Sequence, residues 1–161
     1  MIVGHEVSIK IDRAFKAKIK ATWVEKIVKR ILIMACIDGI VELSIVFTDN
    51  EKIQDLNKRY RNMDNPTDVL AFQMHSDDQN GKIAFITPPD NIHHLGEVVI
   101  SYPQAVRQAR DYGHDITHEV KILLIHGILH LLGYDHRLSA EEEIMRSKET
   151  EILEKLAVFD D

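Results

Sequence analysis

Apolar and polar residues alternate from Glu6 to Ile11, the period-two pattern of a strand with one buried face. A helical pattern follows from about Phe15 to Ala35, with Ile19, Trp23, Ile27 and Ile31 recurring every four residues. Asp38-Gly39 breaks the chain, and Val41 to Thr48 predicts a second strand. Asp49 or Asn50 can cap a short helix to about Tyr60, with Ile53 and Leu56 on its inner face. Pro66 pushes Asn65 out of the helical region, so Asp64 to Asp68 is a turn, and Val69 to Met74 a third strand. His75 to about Leu95 is polar, with Asn80-Gly81 and Pro88-Pro89, and is expected as an exposed loop or hairpin-like excursion. Gly96 to Ser101 completes the strands.

The remainder reads as helix. Pro103 suits the first turn of a helix reaching about Asp111, with Gly113 beyond its end. Asp115 or Thr117 begins a helix that is apolar on nearly every side from Val120 to Leu132, the signature of a core element. Ser139 followed by Glu142 has capping-box spacing and is expected to cap the last helix. With no repeats and no long linker, the order predicts an α+β fold. It is a single domain over residues 1–161, a roughly four-stranded mixed sheet packed with helices.

Composition narrows the function classes. The chain holds one cysteine, Cys36, so neither an internal disulfide nor a thiolate metal site is available, and no disulfide-linked partner is expected. Cys36 itself, among Leu32, Ile33, Met34, Ala35 and Ile37, reads as a small hydrophobe inside a helix. No apolar run is long enough to span a bilayer and MIVGHEVSIK lacks a signal-peptide core, so the expected compartment is the cytoplasm, without a membrane partner. The net charge of −6 disfavours global electrostatic capture of nucleic acid. Two basic groups remain, within Lys16 to Arg30 and at Lys58, Arg59 and Arg61; each reads as a solvated helix face or as a local binding surface.

The densest chemistry lies in His126-Gly127-Ile128-Leu129-His130-Leu131-Leu132-Gly133-Tyr134-Asp135-His136. His126 and His130 are four apart and share a helix face. Gly133 is where the helix can end in a left-handed cap, after which the chain can bring His136 back to that face. Three imidazoles with a fourth position open make a catalytic metal site, with one zinc ion per chain the best match to all-nitrogen ligands. Glu119, seven residues before His126, is either the acceptor for a ligand's second ring nitrogen or a charge favoured by the helix dipole. Asp135 is either an orienting partner or a turn residue. The His-x-x-x-His-x-x-Gly-x-x-His spacing is shared with zinc peptidases, but their general-base glutamate follows the first histidine, where this chain has Gly127.

The same segment resembles the defining motif of the YbeY family of bacterial endoribonucleases. Leu56 to Phe72 is similar to that family's arginine-bearing loop and strand, and Leu95 to Ile100 to its Gly-acidic strand. The resemblance covers nearly the whole chain and is weakest from His75 to Leu95. It implies a zinc-dependent, single-strand-selective RNA endonuclease acting in ribosomal RNA maturation and ribosome quality control. The implied partners are single-stranded RNA, ribosomal RNA and the small ribosomal subunit. The implied ligands are His126, His130 and His136, and the implied functional arginine is Arg61 rather than Arg59. A guanidinium beside a metal is a sensible phosphate clamp, here expected on a loop and moderately buried. Two other readings stand beside this one: a zinc hydrolase acting on peptides or another small electrophile, disfavoured by Gly127, and a ribosome-assembly binding protein with a structural metal and incidental nuclease activity.

Overall fold

The computed structural model describes residues 4–35, 37, 39–74, 92–134 and 138–158. Its strands are β1 (Glu6–Ile11), β2 (Ile40–Thr48), β3 (Val69–Gln73) and β4 (Ile92–Ser101). Its helices are α1 (Ala21–Met34), α2 (Asn50–Arg61), α3 (Tyr102–Tyr112), α4 (Ile116–Leu131) and α5 (Ser139–Val158). The four strands form one mixed sheet in the order β1-β2-β4-β3. β1, β2 and β4 are parallel, and β3 runs antiparallel along the free edge of β4. The α+β fold and the mixed four-stranded sheet expected from the pattern are therefore present.

Alternation along the strands sorts the sheet into two unequal faces. Leu43, Ile45, Phe47, Val98 and Ile100 join α1, α4 and α5 in the main core. Leu70 and Val99 meet Ile53 of α2 in a smaller cluster flanked by Val46, Leu56 and Phe72. Helices α4 and α2 thus cover opposite faces. Burying one such Leu or Ile side chain contributes about 1.5–3 kcal/mol, so the main core outweighs local helix propensity in placing α4.

Several boundaries move for local reasons. The periodicity from Phe15 belongs partly to a 3₁₀ turn at Arg13–Phe15, started when the Asp12 carboxylate accepts from the Ala14 N–H. Phe15, Ile19 and Trp23 face the core across that turn, so their spacing does not register the break before Ala21. Strand β4 begins at Ile92, four residues before the expected Gly96, because His93 and His94 pair with Val41 and Glu42 despite their polarity. The register then slips, with Glu42 and Leu43 opposite His94 and Gly96, which leaves Leu95 as the extra residue of a bulge. Gly96 is required there: its φ is +131° and a Cβ would lie 1.9 Å from the Phe72 carbonyl oxygen. At α5 the Leu138 carbonyl accepts the first helical bond, from Glu142, so Ser139 is the first helical residue rather than the cap. Cys36 and residues 75–91, most of the stretch expected as a loop from His75 to Leu95, lie outside the described residues.

One polar contact fastens the start of β1 to β2. His5 is buried and its Nδ1 accepts the Val41 N–H at 3.1 Å. Burial, and secondarily the charge of Lys29, lowers the His5 pKa below its usual value of 6.5. The unfolded chain therefore takes up a proton that the folded chain resists, and His5's contribution is complete above about pH 6.5 and lost as the pH falls below it. Chemical denaturation at pH 7.5 and 5.5 should show less pH sensitivity in His5→Gln than in the wild type; identical pH dependence would remove His5 as a contributor.

Candidate metal centre

Helix α4 begins with the Asp115 carboxylate accepting the His118 N–H at 2.9 Å, which satisfies one orphan donor of the first turn. From Leu123 to Leu131 every residue is buried except His126 and His130. The core helix opens to solvent at those two imidazoles, whose ring centroids stand 4.7 Å apart, edge to face. The helix ends as its glycine implies. Gly133 has φ +101°, its N–H donates to the His130 carbonyl, and the Tyr134 N–H donates to the Leu129 carbonyl. This pair of bonds is a Schellman motif, which ends the helix at Gly133. His136 and Asp135 lie outside the described residues, so the expected third ligand and its neighbour are not placed. Among the described residues no group of three or more His, Cys, Asp or Glu gathers as a metal cluster.

The donor set that is present fits a metal. His126 and His130 are half-buried rather than sealed in the core, and a carboxylate stands behind the first. Glu149 of α5 places Oε2 3.3 Å from His126 Nδ1, which would leave Nε2 to face a ligand. Sequence reasoning missed Glu149 because it lies on another helix, 23 residues away, and no helical spacing links it to the motif. Glu119, weighed for this role, is committed elsewhere: its Oε1 meets His114 Nε2 at 2.5 Å and its Oε2 accepts from Gln108. Gln108 also donates to Asp68 at 3.1 Å, tying α3 and the start of β3 to the first turn of α4. Gln73 of β3 donates to the His130 carbonyl at 2.8 Å, anchoring the histidine end of α4 to the sheet edge.

Arg61 is the last residue of α2 and exposed, not loop-borne and moderately buried as expected. The helix runs that far because Asn62 takes the left-handed cap conformation, φ 57°, with the Met63 N–H bonded to the Asn57 carbonyl. Although α2 covers the face opposite α4, its end reaches the edge strand where α4 does. Tyr60 packs edge to face on Phe72 at 5.4 Å, and the next residue, Gln73, holds His130. The two arginines differ in commitment. Arg59 pairs with Asp55 at 2.9 Å, whereas Arg61 forms no ion pair among the described residues.

Comparison with known proteins bears on this arrangement. The family model described as endoribonuclease YbeY matches residues 7–157. The chain belongs to the YbeY family. An endoribonuclease YbeY of Dehalococcoides mccartyi strain CBDB1 is 47% identical over 145 residues, covering 88% of this chain and 87% of the relative. A second, from Roseiflexus sp. strain RS-1, is 42% identical over 153 residues, covering 94% and 93%. The solution structure of TM1509 from Thermotoga maritima shares the fold with a TM-score of 0.57 at 25% identity, over 92% of this chain and 87% of that one. The matched region contains the YbeY-like histidine motif, Arg61 and β4 together.

Within this YbeY fold, Gly127 has a packing role that its absent side chain conceals. A Cβ there would lie 2.6 Å from Val98 Cγ1 and 3.1 Å from Val98 Cγ2, on a fully buried, β-branched residue of the sheet. The close approach of α4 to β4 leaves no room for the peptidase glutamate. Replacing Gly127 by Ala gains about 1 kcal/mol of helix propensity, but overpacking a rigid site costs about 1–3 kcal/mol. Gly127→Ala should therefore be destabilising in denaturant titrations. Val98→Ala in the same chain should be less costly than the two single effects summed; strict additivity would deny the contact.

Proposed function

We propose that this chain is a metal-dependent, single-strand-selective endoribonuclease that acts in ribosomal RNA processing and maturation and in ribosome quality control. RNA cleavage is supported by membership of the endoribonuclease YbeY family. The observation that carries the metal is the opening of an otherwise buried helix at His126 and His130 alone between Leu123 and Leu131. His126, His130 and His136 would hold one zinc ion per chain. Bound there, zinc supplies Lewis acidity and a water whose pKa is lowered to about 7.

The remaining roles belong to the chain. Glu149 accepts from His126 Nδ1 and holds its ring, and Asp135 orients His136 in the same manner. Arg61, at the end of α2 and in no ion pair among the described residues, takes the scissile phosphate in its guanidinium fork and offsets the charge that develops on it. Single-stranded segments of ribosomal RNA, presented by the small ribosomal subunit in the cytoplasm, are the proposed substrate. No described helix is long and apolar enough to cross a membrane. The peptide-hydrolase alternative lacks both a base and the space for one at Gly127.

Arg61→Ala should leave zinc content and thermal stability unchanged while lowering cleavage of single-stranded RNA by about 10²-fold or more. Arg61→Lys should rescue poorly, since an ammonium lacks the bidentate fork. Arg59→Ala, which breaks an exposed i, i+4 pair, serves as the control and should change little. Equal losses at both positions would reduce the effect to general basic attraction, and an active Arg61→Ala enzyme would remove the clamp.

His130→Ala should lose stoichiometric zinc on dialysis against a mild chelator, measured by elemental analysis. Glu149→Gln and Asp135→Asn should each weaken zinc binding or cleavage by roughly 10–100-fold while the protein stays folded. Full zinc retention in His130→Ala would sink the assignment.

A further inference from the structure

A cleft unconnected with the histidines opens at the other end of α4. Trp23 and Ile19 at the start of α1, Tyr102 directly after β4, and Ile116, Thr117 and Val120 of α4 enclose about 200 Å³. This is the crevice outside the carboxyl ends of parallel strands, where open α/β sheets place ligands. His126 is ten residues beyond Ile116, about 15 Å along the helix at 1.5 Å per residue. The walls are mostly apolar and aromatic: Tyr102 is buried and packs on Phe15 with ring centroids 5.1 Å apart, while Trp23 is half-buried. A cavity of about 150 Å³ already accommodates one benzene, so the space suits a single flat ring system and little more.

The mouth is basic. Lys18 and Lys20 line it, both are exposed, and neither forms an ion pair among the described residues. Between Lys10 and Arg30 eight lysines and arginines stand against two carboxylates, Asp12 and Glu25, in a chain whose net charge is −6. Asp115 lies close by, next to Thr117, but its carboxylate is occupied by the His118 N–H and the Thr117 hydroxyl. An aromatic slot with exposed ammonium groups at its mouth matches an aromatic ring joined to anions on both sides. An unpaired nucleotide within a strand has that chemistry, since its base offers a π-face and its neighbours are phosphates.

We propose that this cleft is a second RNA-binding site, which takes one unpaired nucleobase against Trp23 and Tyr102 while Lys18 and Lys20 hold the flanking phosphates. It rests on the reading of the chain as an endoribonuclease and names how that enzyme grips substrate away from the cleavage site. A slot that needs an extruded base selects single strands over duplex, because a stacked, paired base cannot enter. The contact is base-tolerant, since stacking reads no hydrogen-bond pattern.

Trp23 is the one tryptophan of the chain, so its fluorescence reports on this cleft alone. The zinc-loaded protein is titrated with a fluorescein-labelled single-stranded oligoadenylate made nuclease-resistant by 2′-O-methyl and phosphorothioate groups, with binding followed by anisotropy and Trp23 emission in parallel. The emission should change saturably, with the same midpoint as the anisotropy. An abasic strand of equal length should bind more weakly and leave the emission unchanged. Lys18→Glu combined with Lys20→Glu should weaken binding about tenfold or more and reduce the slope of log K against log salt by about 1.4, or about 0.7 per phosphate lost. RNA that binds by anisotropy without moving Trp23 overturns the second site and leaves the endoribonuclease reading intact. RNA that does not bind at all overturns both. Polyglutamate moving Trp23 emission as strongly as RNA would make the cleft a docking site for an acidic protein instead.

Discussion

The structure depends on how closely α4 lies against the sheet. Gly127 brings the helix backbone to the side chain of Val98, and at that distance a Cβ fits only if Val98 or the helix shifts. Because the contact is made by the residue after His126, the buried stripe of α4 and the placement of its histidines are set together. Turning α4 to relieve an added side chain would carry His126 and His130 with it. Both ends are secured by polar contacts. The Glu119–Gln108–Asp68 chain holds the first turn, and the Gln73 bond to the His130 carbonyl holds the last.

This coupling separates the YbeY fold from the zinc peptidases that share its histidine spacing. In those enzymes the position after the first histidine supplies a base. Here the position is consumed by packing against Val98. Arg61 comes from the opposite face of the sheet and reaches the β3 edge through the Tyr60–Phe72 contact. Glu149 comes from α5.

Much of this was legible in the chain. The histidine helix, its glycine stop and the four strands follow from periodicity and backbone chemistry that act over a few residues, and the Schellman motif at Gly133 is the physical form of that reading. What escaped depends on contacts between distant segments. Strand β4 starts at Ile92 because β2 offers it hydrogen bonds, which outweigh the polarity of His93 and His94. Glu119 shares a helix face with His126, yet its neighbour across the α3–α4 turn, His114, claims it. Arg61 is helical because Asn62 accepts a left-handed cap, a choice that asparagine permits but does not demand. Arg61 and the histidines stand out in the chain by their resemblance to the YbeY motif. Glu149 and the cleft around Trp23 carry no local signature.

X-ray absorption at the zinc edge on the purified protein reads the ligand set of the histidine site without reference to activity. The expected spectrum shows about one zinc per chain, with three imidazole nitrogens at about 2.0–2.1 Å and one light oxygen ligand completing a tetrahedron. A spectrum showing a sulfur ligand at about 2.3 Å, or fewer than three imidazoles with carboxylates in their place, would contradict it.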